Sequence, residues 1–255
     1  MRQLFPHSVD DVDLLAAYAP PADGPHVRVN FVSSIDGAAT VGGVSDGLSG
    51  AADKRVFGTL RTLADVVLVG AGTARAEGYG PAKVNAARQE WRLSHGYAAL
   101  PPIAVVSGRG DLDVGTPFFT DAVARPIVYT LTAVDATRLN ALRAVAEVVT
   151  FDGPTVPARS VVDDLVSRGL RRVLCEGGPH LFGDLLAAGA VDELDLTISP
   201  KLAGGSLPRI IDGSALLVPQ SMAVTHVLTE DVFLFLRYGV SAETHYSTVG
   251  ATSTP

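Results

Sequence analysis

The chain has 255 residues, 47% hydrophobic and 18% charged, with a formal net charge of -7. That is enough apolar material for a core in one large domain or two small ones, and the acidic balance argues against a nucleic-acid partner. The single cysteine, Cys175, excludes an internal disulfide framework and a cysteine-rich zinc site, and no metal is expected.

No apolar run approaches the ~20 residues of a membrane span, and residues 1–7 lack the apolar core of a signal peptide. The expectation is a soluble, cytoplasmic protein without a membrane partner. In chain order, residues 8–15 predict a short helix with Ser8 as N-cap and acids in its first turn. Pro20, Pro21 and Gly24 then break the chain. Residues 26–34, rich in Val, predict a core strand that runs into Ser33, Ser34, Ile35, Asp36 and Gly37. A polar cluster at the carboxyl end of such a strand is where open α/β sheets place ligands. Asp36 there suits substrate orientation or proton transfer, and Asp36-Gly37 equally suits a plain turn.

Residues 40–50 are Gly- and Ser-rich, a loop over a site or a simple connection. Val56, Leu60 and Leu63 recur at helical spacing, so residues 53–63 predict an amphipathic helix. Arg61 near its end is either a dipole partner or a group that faces a ligand. Residues 64–70 form a second apolar strand that ends in Gly70, Ala71, Gly72 and Thr73. A dinucleotide fingerprint would need glycine at position 75, where Arg75 stands, so this is not the Rossmann motif. The two glycines still allow close approach of a pyrophosphate, with the Thr73 hydroxyl as donor. Residues 77–81 continue as a loop, and residues 83–95 read as a surface helix or excursion.

Residues 103–107 predict a third strand, followed by Ser107 and Arg109, which suit either a phosphate-monoester clamp or an ordinary turn. Strand, helix and strand follow over residues 127–151. Ser160 resembles the start of a capping box, opening a helix that stops at Gly169. Residues 172–182 read as a buried strand, a turn at Gly177-Gly178, and a helix opened by Pro179. In that strand Cys175 serves as small core filler. A glycine turn feeding a helix N-terminus presents free N–H groups to an anion. Alone, the pair reads better as a tight turn; beside two other glycine-bearing strand ends it reads as a phosphate cradle.

Residues 191–199 alternate Leu194, Leu196 and Ile198 with acids and Thr, which suits a half-exposed or dimer-facing strand. Residues 222–228 and 232–238 predict closing strands. Residues 241–255 are Ser-, Thr-, Gly- and Ala-rich, expected as a flexible tail. The fold class is α/β: a mainly parallel central sheet with helices on both faces and antiparallel C-terminal strands, in a single domain over residues 1–240 that includes a short N-terminal extension.

Three strand ends, Ser34 to Gly37, Val69 to Thr73 and Glu176 to Pro179, resemble in order and spacing the reductase domain of riboflavin biosynthesis, the RibD C-terminal or pyrimidine reductase family. The resemblance runs over about residues 26–238 and takes in the Pro-containing, Gly-Gly-ending segment 198–205. It implies a dihydrofolate reductase-like fold and an NADPH-dependent reductase similar to 5-amino-6-(5-phosphoribosylamino)uracil reductase. It also implies Asp36 and Ser34 near the reacting atoms and Asn30, Ser33 and Arg61 near the substrate. Gly70, Gly72, Thr73, Glu176, Gly177, Gly178 and Pro179 would hold the cofactor, with Ser107 and Arg109 at its 2′-phosphate. Departures fall on the substrate side. Asn30 replaces a usual lysine, Ala38 replaces another, and Glu77-Gly-Tyr stands where the family often has Asp-Asp-Pro. A dihydrofolate or pterin reductase and a non-catalytic NADP-binding protein are the alternatives. The deaminase domain with its His/Cys zinc motif is absent from this sequence, so a stand-alone reductase, as a homodimer, is expected.

Overall fold

A computed structural model describes residues 1–213, 216 and 218–241; the expected tail, apart from Ser241, lies outside the described residues. The elements in order are β1 (Arg2–Phe5), α1 (Leu14–Ala17), β2 (His26–Ser33), α2 (Ala51–Thr62), β3 (Val66–Gly70), α3 (Ala71–Ala76), α4 (Ala86–Ser94), β4 (Ile103–Val106) and α5 (Pro117–Thr120). Then come β5 (Ile127–Leu131), α6 (Ala136–Val145), β6 (Glu147–Phe151), α7 (Ala158–Ser167), β7 (Arg172–Cys175), α8 (Pro179–Ala187), β8 (Glu193–Ile198), β9 (Met222–Glu230) and β10 (Phe233–Val240). All ten strands join one sheet in the order β1-β9-β10-β8-β2-β7-β3-β4-β5-β6. The run from β8 to β6 is parallel, and β10, β9 and β1 add antiparallel neighbours at one side.

The parallel strands are apolar on both faces because helices cover both. Val67 and Val69 of β3 join one core with Val56 and Leu60 of α2. Val66 and Leu68 point the other way, into a second core with Val161 and Leu165 of α7 and Leu185 of α8. Each such side chain contributes about 1.5–3 kcal/mol on burial. No helix among the described residues is long and apolar enough to cross a membrane.

Several local expectations are corrected. The first helix starts at Leu14 and is capped by Asp13, whose Oδ1 accepts from Leu15 N at 2.9 Å. Ser8 instead accepts from Arg2 Nη2, because residues 3 and 9 bridge and hold this stretch beside β1. The N-terminal extension thus supplies an edge strand. Ser160 caps nothing: α7 already begins at Ala158, directly after Pro157, and has no side-chain cap. The excursion over residues 83–95 holds α4, whose Arg92 is fully buried.

Strand β8 is half-exposed, as its alternation suggested, and its apolar residues lie on the open side. Its acids face inward: Glu193 and Asp195 are buried, while Leu194, Leu196 and Ile198 are half-exposed. The physical reason lies on the neighbouring strands, where Arg28 of β2 pairs in register with Glu193 and Arg237 of β10 with Asp195. Glu193 Oε2 lies 2.6 Å from Arg237 Nη2 and 3.1 Å from His26 Nε2, and its Oε1 lies 2.8 Å from Arg28 Nη2. Burial pulls the Glu193 pKa upward, but these partners outweigh it and hold the group at about 2. Asp195 is pushed well above the usual carboxylate range by burial and by the Glu193 charge.

Burial and the Arg237 charge lower His226 to about 4, so it is neutral at pH 7. An unfolded histidine takes up its proton near pH 6.5. Between about 6.5 and 4 the unfolded chain therefore binds the extra proton, and stability falls as pH drops through that window. Comparing urea unfolding at pH 7 and pH 4.5, His226→Gln is expected to lose roughly 2 kcal/mol less than the parent chain. An equal loss in both proteins would assign the acid sensitivity elsewhere.

Candidate active site

The carboxyl ends of β2, β3 and β7 border a cleft of about 350 Å³. A larger, more open depression of about 710 Å³ lies at the opposite strand ends, beside Asp65 and Arg172 and away from the glycine turns. The smaller cleft is the better candidate, since open parallel sheets bind ligands at their carboxyl ends.

Two glycine turns meet back to back there. Gly70 N donates to Gly177 O at 2.8 Å. A Cβ on Gly70 would lie 3.3 Å from Gly178 N, and a Cβ on Gly178 would run into Thr73 Oγ1. Gly177 has φ of +93° and sits against the Phe31 ring, so a side chain is excluded by conformation and by space. The peptide between Gly177 and Gly178 is cis. Gly72 differs: nothing lies within 4 Å of where its Cβ would be. Helices α3 and α8 start immediately after these turns, so their first-turn N–H groups open near the same cleft wall.

Glu176, Arg61 and Tyr79 contribute to the same cleft. Arg61 Nε and Nη2 donate to the two carboxylate oxygens of Glu176, each at 2.7 Å, and the Tyr79 hydroxyl donates to Oε2 at 2.7 Å. The Glu176 side chain is 1% exposed and Arg61 12% exposed. Arg61 also lies over the Phe57 ring, 4.4 Å from its centroid. Burial works against the Arg61 charge, yet Glu176 prevails and holds its pKa above the ordinary arginine value. The Tyr79 phenol is raised well above its usual range by burial and then by Glu176, so it remains a donor.

The remaining walls come from the 40–50 segment, which packs over the cleft as a tethered loop. Ser45 N donates to Glu77 Oε1 at 2.7 Å, the Ser49 hydroxyl to Asp53 at 2.5 Å, and Lys54 Nζ to Asp46 at 2.8 Å. Among the described residues, no group of three or more His, Cys, Asp or Glu is arranged to hold a metal.

Thr73, Gly178 and Pro179 line the cleft, while Gly70, Gly72 and Gly177 belong to the same two turns without being among its lining residues. Glu176, expected beside the cofactor, lines the cleft and binds Arg61 there. Arg61 stands in the last turn of α2 and also lines the cleft. Asn30 lines the cleft too, its Nδ2 donating to Asp195 O at 3.2 Å. Ser33, Ser34 and Asp36 are not among the cleft residues. Ser33 is buried, and its hydroxyl donates to Ser34 O. Asp36 accepts from the Ser34 hydroxyl at 2.5 Å and from the N–H groups of Ala203 and Gly204, at 3.0 and 2.7 Å. Those bonds, the Ser34 one foremost, drive its pKa far below the usual carboxylate range. Asp36 therefore ties the end of β2 to the 201–205 loop and is held as a carboxylate.

Ser107 and Arg109 follow β4, one strand beyond the cleft. Ser107 Oγ accepts from Asp111 N, and the exposed Arg109 makes no ion pair among the described residues. Its carbonyl accepts from Arg138 Nη1 at 3.0 Å, and Arg75 donates to Asp111 O at 2.6 Å, so three arginines border this loop. Sequence reasoning missed Tyr79, Arg75 and Arg138. Tyr79 stood within a Gly-Pro loop, and the arginines come from separate helices that only the fold brings together.

A mainly parallel sheet with paired glycine turns over a carboxyl-end cleft is the dihydrofolate reductase-like α/β class to which the RibD-like reductases belong. The chain belongs to the RibD C-terminal domain family, which matches residues 25–233. It is 28% identical over 200 residues to the 2,5-diamino-6-ribosylamino-4(3H)-pyrimidinone 5′-phosphate reductase of Archaeoglobus fulgidus, covering 76% of this chain and 89% of that one. The protein of the same name from Methanothermobacter thermautotrophicus is also 28% identical, over 75% of this chain and 86% of its own. Among solved structures, a pyrimidine reductase-like protein from Corynebacterium diphtheriae superposes with a TM-score of 0.79 at 28% identity, covering 86% of this chain and 93% of that one.

The Gly178 contact yields a direct test. Gly178→Ala is expected to destabilise by about 1–3 kcal/mol through the clash with Thr73 Oγ1. The double variant with Thr73→Ala, which removes that oxygen, is expected to recover most of the loss in chemical denaturation. Strict additivity of the two changes would show that the turns do not touch in this way.

Proposed function

We propose that the protein is an NADPH-dependent reductase of riboflavin biosynthesis that reduces a ribosylaminopyrimidine 5′-phosphate, the substrate named for its archaeal relatives. The observation that carries this reading is the pairing of two glycine turns with a charged cleft built on Arg61 and Glu176. The residues present suit a dinucleotide. Gly72 leaves room for close approach, and the first-turn N–H groups of α3 and α8 are donors for phosphate oxygens. Thr73, Gly177, Gly178 and Pro179 would complete that wall. Arg109 and Ser107, with Arg75 and Arg138 beside them, suit a 2′-phosphate.

When bound, NADPH supplies a hydride. The work left to the chain is to orient the acceptor and keep water from the reacting atoms. Arg61 Nη1 makes no hydrogen bond among the described residues, so it is a charged donor available to an acceptor oxygen. It thereby supplies a cation in the cleft that the family's lysine would supply at position 30. Glu176 fixes that guanidinium and keeps it charged, and Asn30 adds a neutral amide. A cytoplasmic location goes with this reading. So does a homodimer through the half-exposed apolar face of β8 and β10, where Leu196 stands opposite Leu236 and Leu194 opposite Tyr238; sedimentation as a monomer would remove the dimer.

The deciding assay follows NADPH oxidation with the diaminopyrimidinone phosphate, its deaminated uracil counterpart and dihydrofolate in parallel. Turnover of either pyrimidine is expected. Turnover of dihydrofolate alone would make the protein a pterin reductase, and no turnover with any of the three would overturn the assignment. For the cofactor, Arg109→Ala is expected to narrow the gap between NADPH and NADH affinity by about tenfold, the worth of one charge-assisted contact. An unchanged ratio would take Arg109 out of the 2′-phosphate site.

A further inference from the structure

Arg92 is the most fully buried large side chain outside the cleft, with no measurable exposure. Among the described residues no carboxylate forms an ion pair with it, and the Asp65 charge acts on it only at longer range. Its Nη1 donates instead to the carbonyls of Arg61, Thr62 and Ala64, at 3.0, 2.8 and 2.7 Å, and its Nε donates to Ala98 O at 2.7 Å. The guanidinium also sits over the Tyr97 ring, 5.1 Å from the centroid. Burial lowers its pKa to about 10, which leaves it charged at neutral pH.

The carbonyls of Arg61, Thr62 and Ala64 lie at the C-terminal end of α2, where unsatisfied C=O groups and the negative end of the helix dipole favour a cation, whereas Ala98 follows α4. A buried charge without a counter-ion is a costly way to cap a helix, since backbone or glycine caps serve elsewhere. The contact is also not isolated. Arg88, one turn earlier on α4, reaches Arg55 O and Thr59 Oγ1 of α2 at 3.4 and 3.3 Å. Gly58 of α2 admits it, because a Cβ there would collide with Arg88 Nη1. Helix α4 is thus keyed onto α2 by two arginines on one face.

Arg61 is the residue on which this arrangement converges. Its carbonyl is held by Arg92 and its side chain by Glu176. We propose that Arg92 is a positioning residue for the reductase site: it fixes the end of α2 and so sets how Arg61 enters the cleft and meets Glu176. The proposal rests on the reading of that cleft as the reductase site, and it gives α4, which contributes no side chain to the cleft wall, a part in the reaction.

The test compares Arg92→Met, Arg92→Lys and Arg125→Met in the full chain. Arg125 is an exposed helix-capping control: its Nη2 caps the end of α6 through Arg143 O and Ala146 O, far along the sheet from the cleft. Arg92→Met is expected to lower kcat for pyrimidine reduction by roughly tenfold to a hundredfold, as small misplacements of a positioned group do, with KM for NADPH little changed. Arg92→Lys, which keeps a cation able to reach some of the carbonyls, is expected to recover part of kcat. Arg125→Met is expected to keep kcat. A crystal structure of Arg92→Met is expected to show at least one of the two 2.7 Å contacts between Arg61 and Glu176 broken. Retention of both contacts, or a kcat loss equal in Arg125→Met, would overturn the proposal. If Arg92→Met does not fold, Arg92→Lys carries the same crystallographic comparison. If the parent chain reduces no pyrimidine, the proposed function fails, and the crystal structure still decides the positioning role.

Discussion

The bidentate pair between Arg61 and Glu176 is the constraint on which the candidate site depends. It joins helix α2 to the end of strand β7 across the cleft. Both partners are nearly removed from water, so each alone would carry a heavy desolvation penalty. Two parallel N–H to oxygen bonds, a third from Tyr79 and a Phe57 ring face under the guanidinium offset that penalty. The arrangement holds a cation in the cleft at a defined depth. A flexible lysine on β2 would supply charge with less fixed geometry.

Around this pair the fold divides its labour between the two ends of the sheet's central strands. The glycine turns after β3 and β7 pack on each other so closely that they act as one wall, while Gly72 alone remains open. The Ser34–Asp36 turn, which looks like a reactive cluster when read along the chain, serves the loop over residues 201–205. Further down β2 and β8 runs a stripe of buried charge, with Arg28, Glu193, Asp195 and Arg237 facing the same core. Paired in this way, the charges favour one register among three adjacent strands, because a one-residue slip of any one strand would turn its charges away from their partners and leave those partners buried and unpaired.

Much of the architecture was legible in the chain. The Val-rich strands, the helical spacing of Val56 and Leu60 and the glycine-ended strand tips all lead to a parallel sheet with a carboxyl-end site. Legibility failed where a local pattern had two physical solutions. Alternating Leu and acid in β8 is the same string whether the acids face water or face arginines, so the half-exposed strand was legible but the side its acids take was not. Ser160 and Ser8 both offered cap chemistry, but Pro157 started one helix earlier and the pairing of residues 3 and 9 held the other stretch as extended chain. The burial of Arg92 went unread within a segment taken as a surface helix or excursion, because three of the carbonyls that accept from it lie about 30 residues earlier in the chain.

What the sequence determined by itself, with β1, α3 and α5 unread, was therefore most of the core strands and longer helices, the sheet class and the three glycine-bearing strand ends. These follow from local periodicity and from backbone freedom that few residues besides glycine possess. Tertiary structure alone decided which charges face one another. It aimed Arg61 at Glu176, tied Asp36 to the 201–205 loop, buried Glu193 and Asp195 against arginines, and set Arg92 under the end of α2. An ionic or polar side chain takes its role from the partner that satisfies it, and in each of these cases at least one such partner belongs to a distant segment that packing brings near.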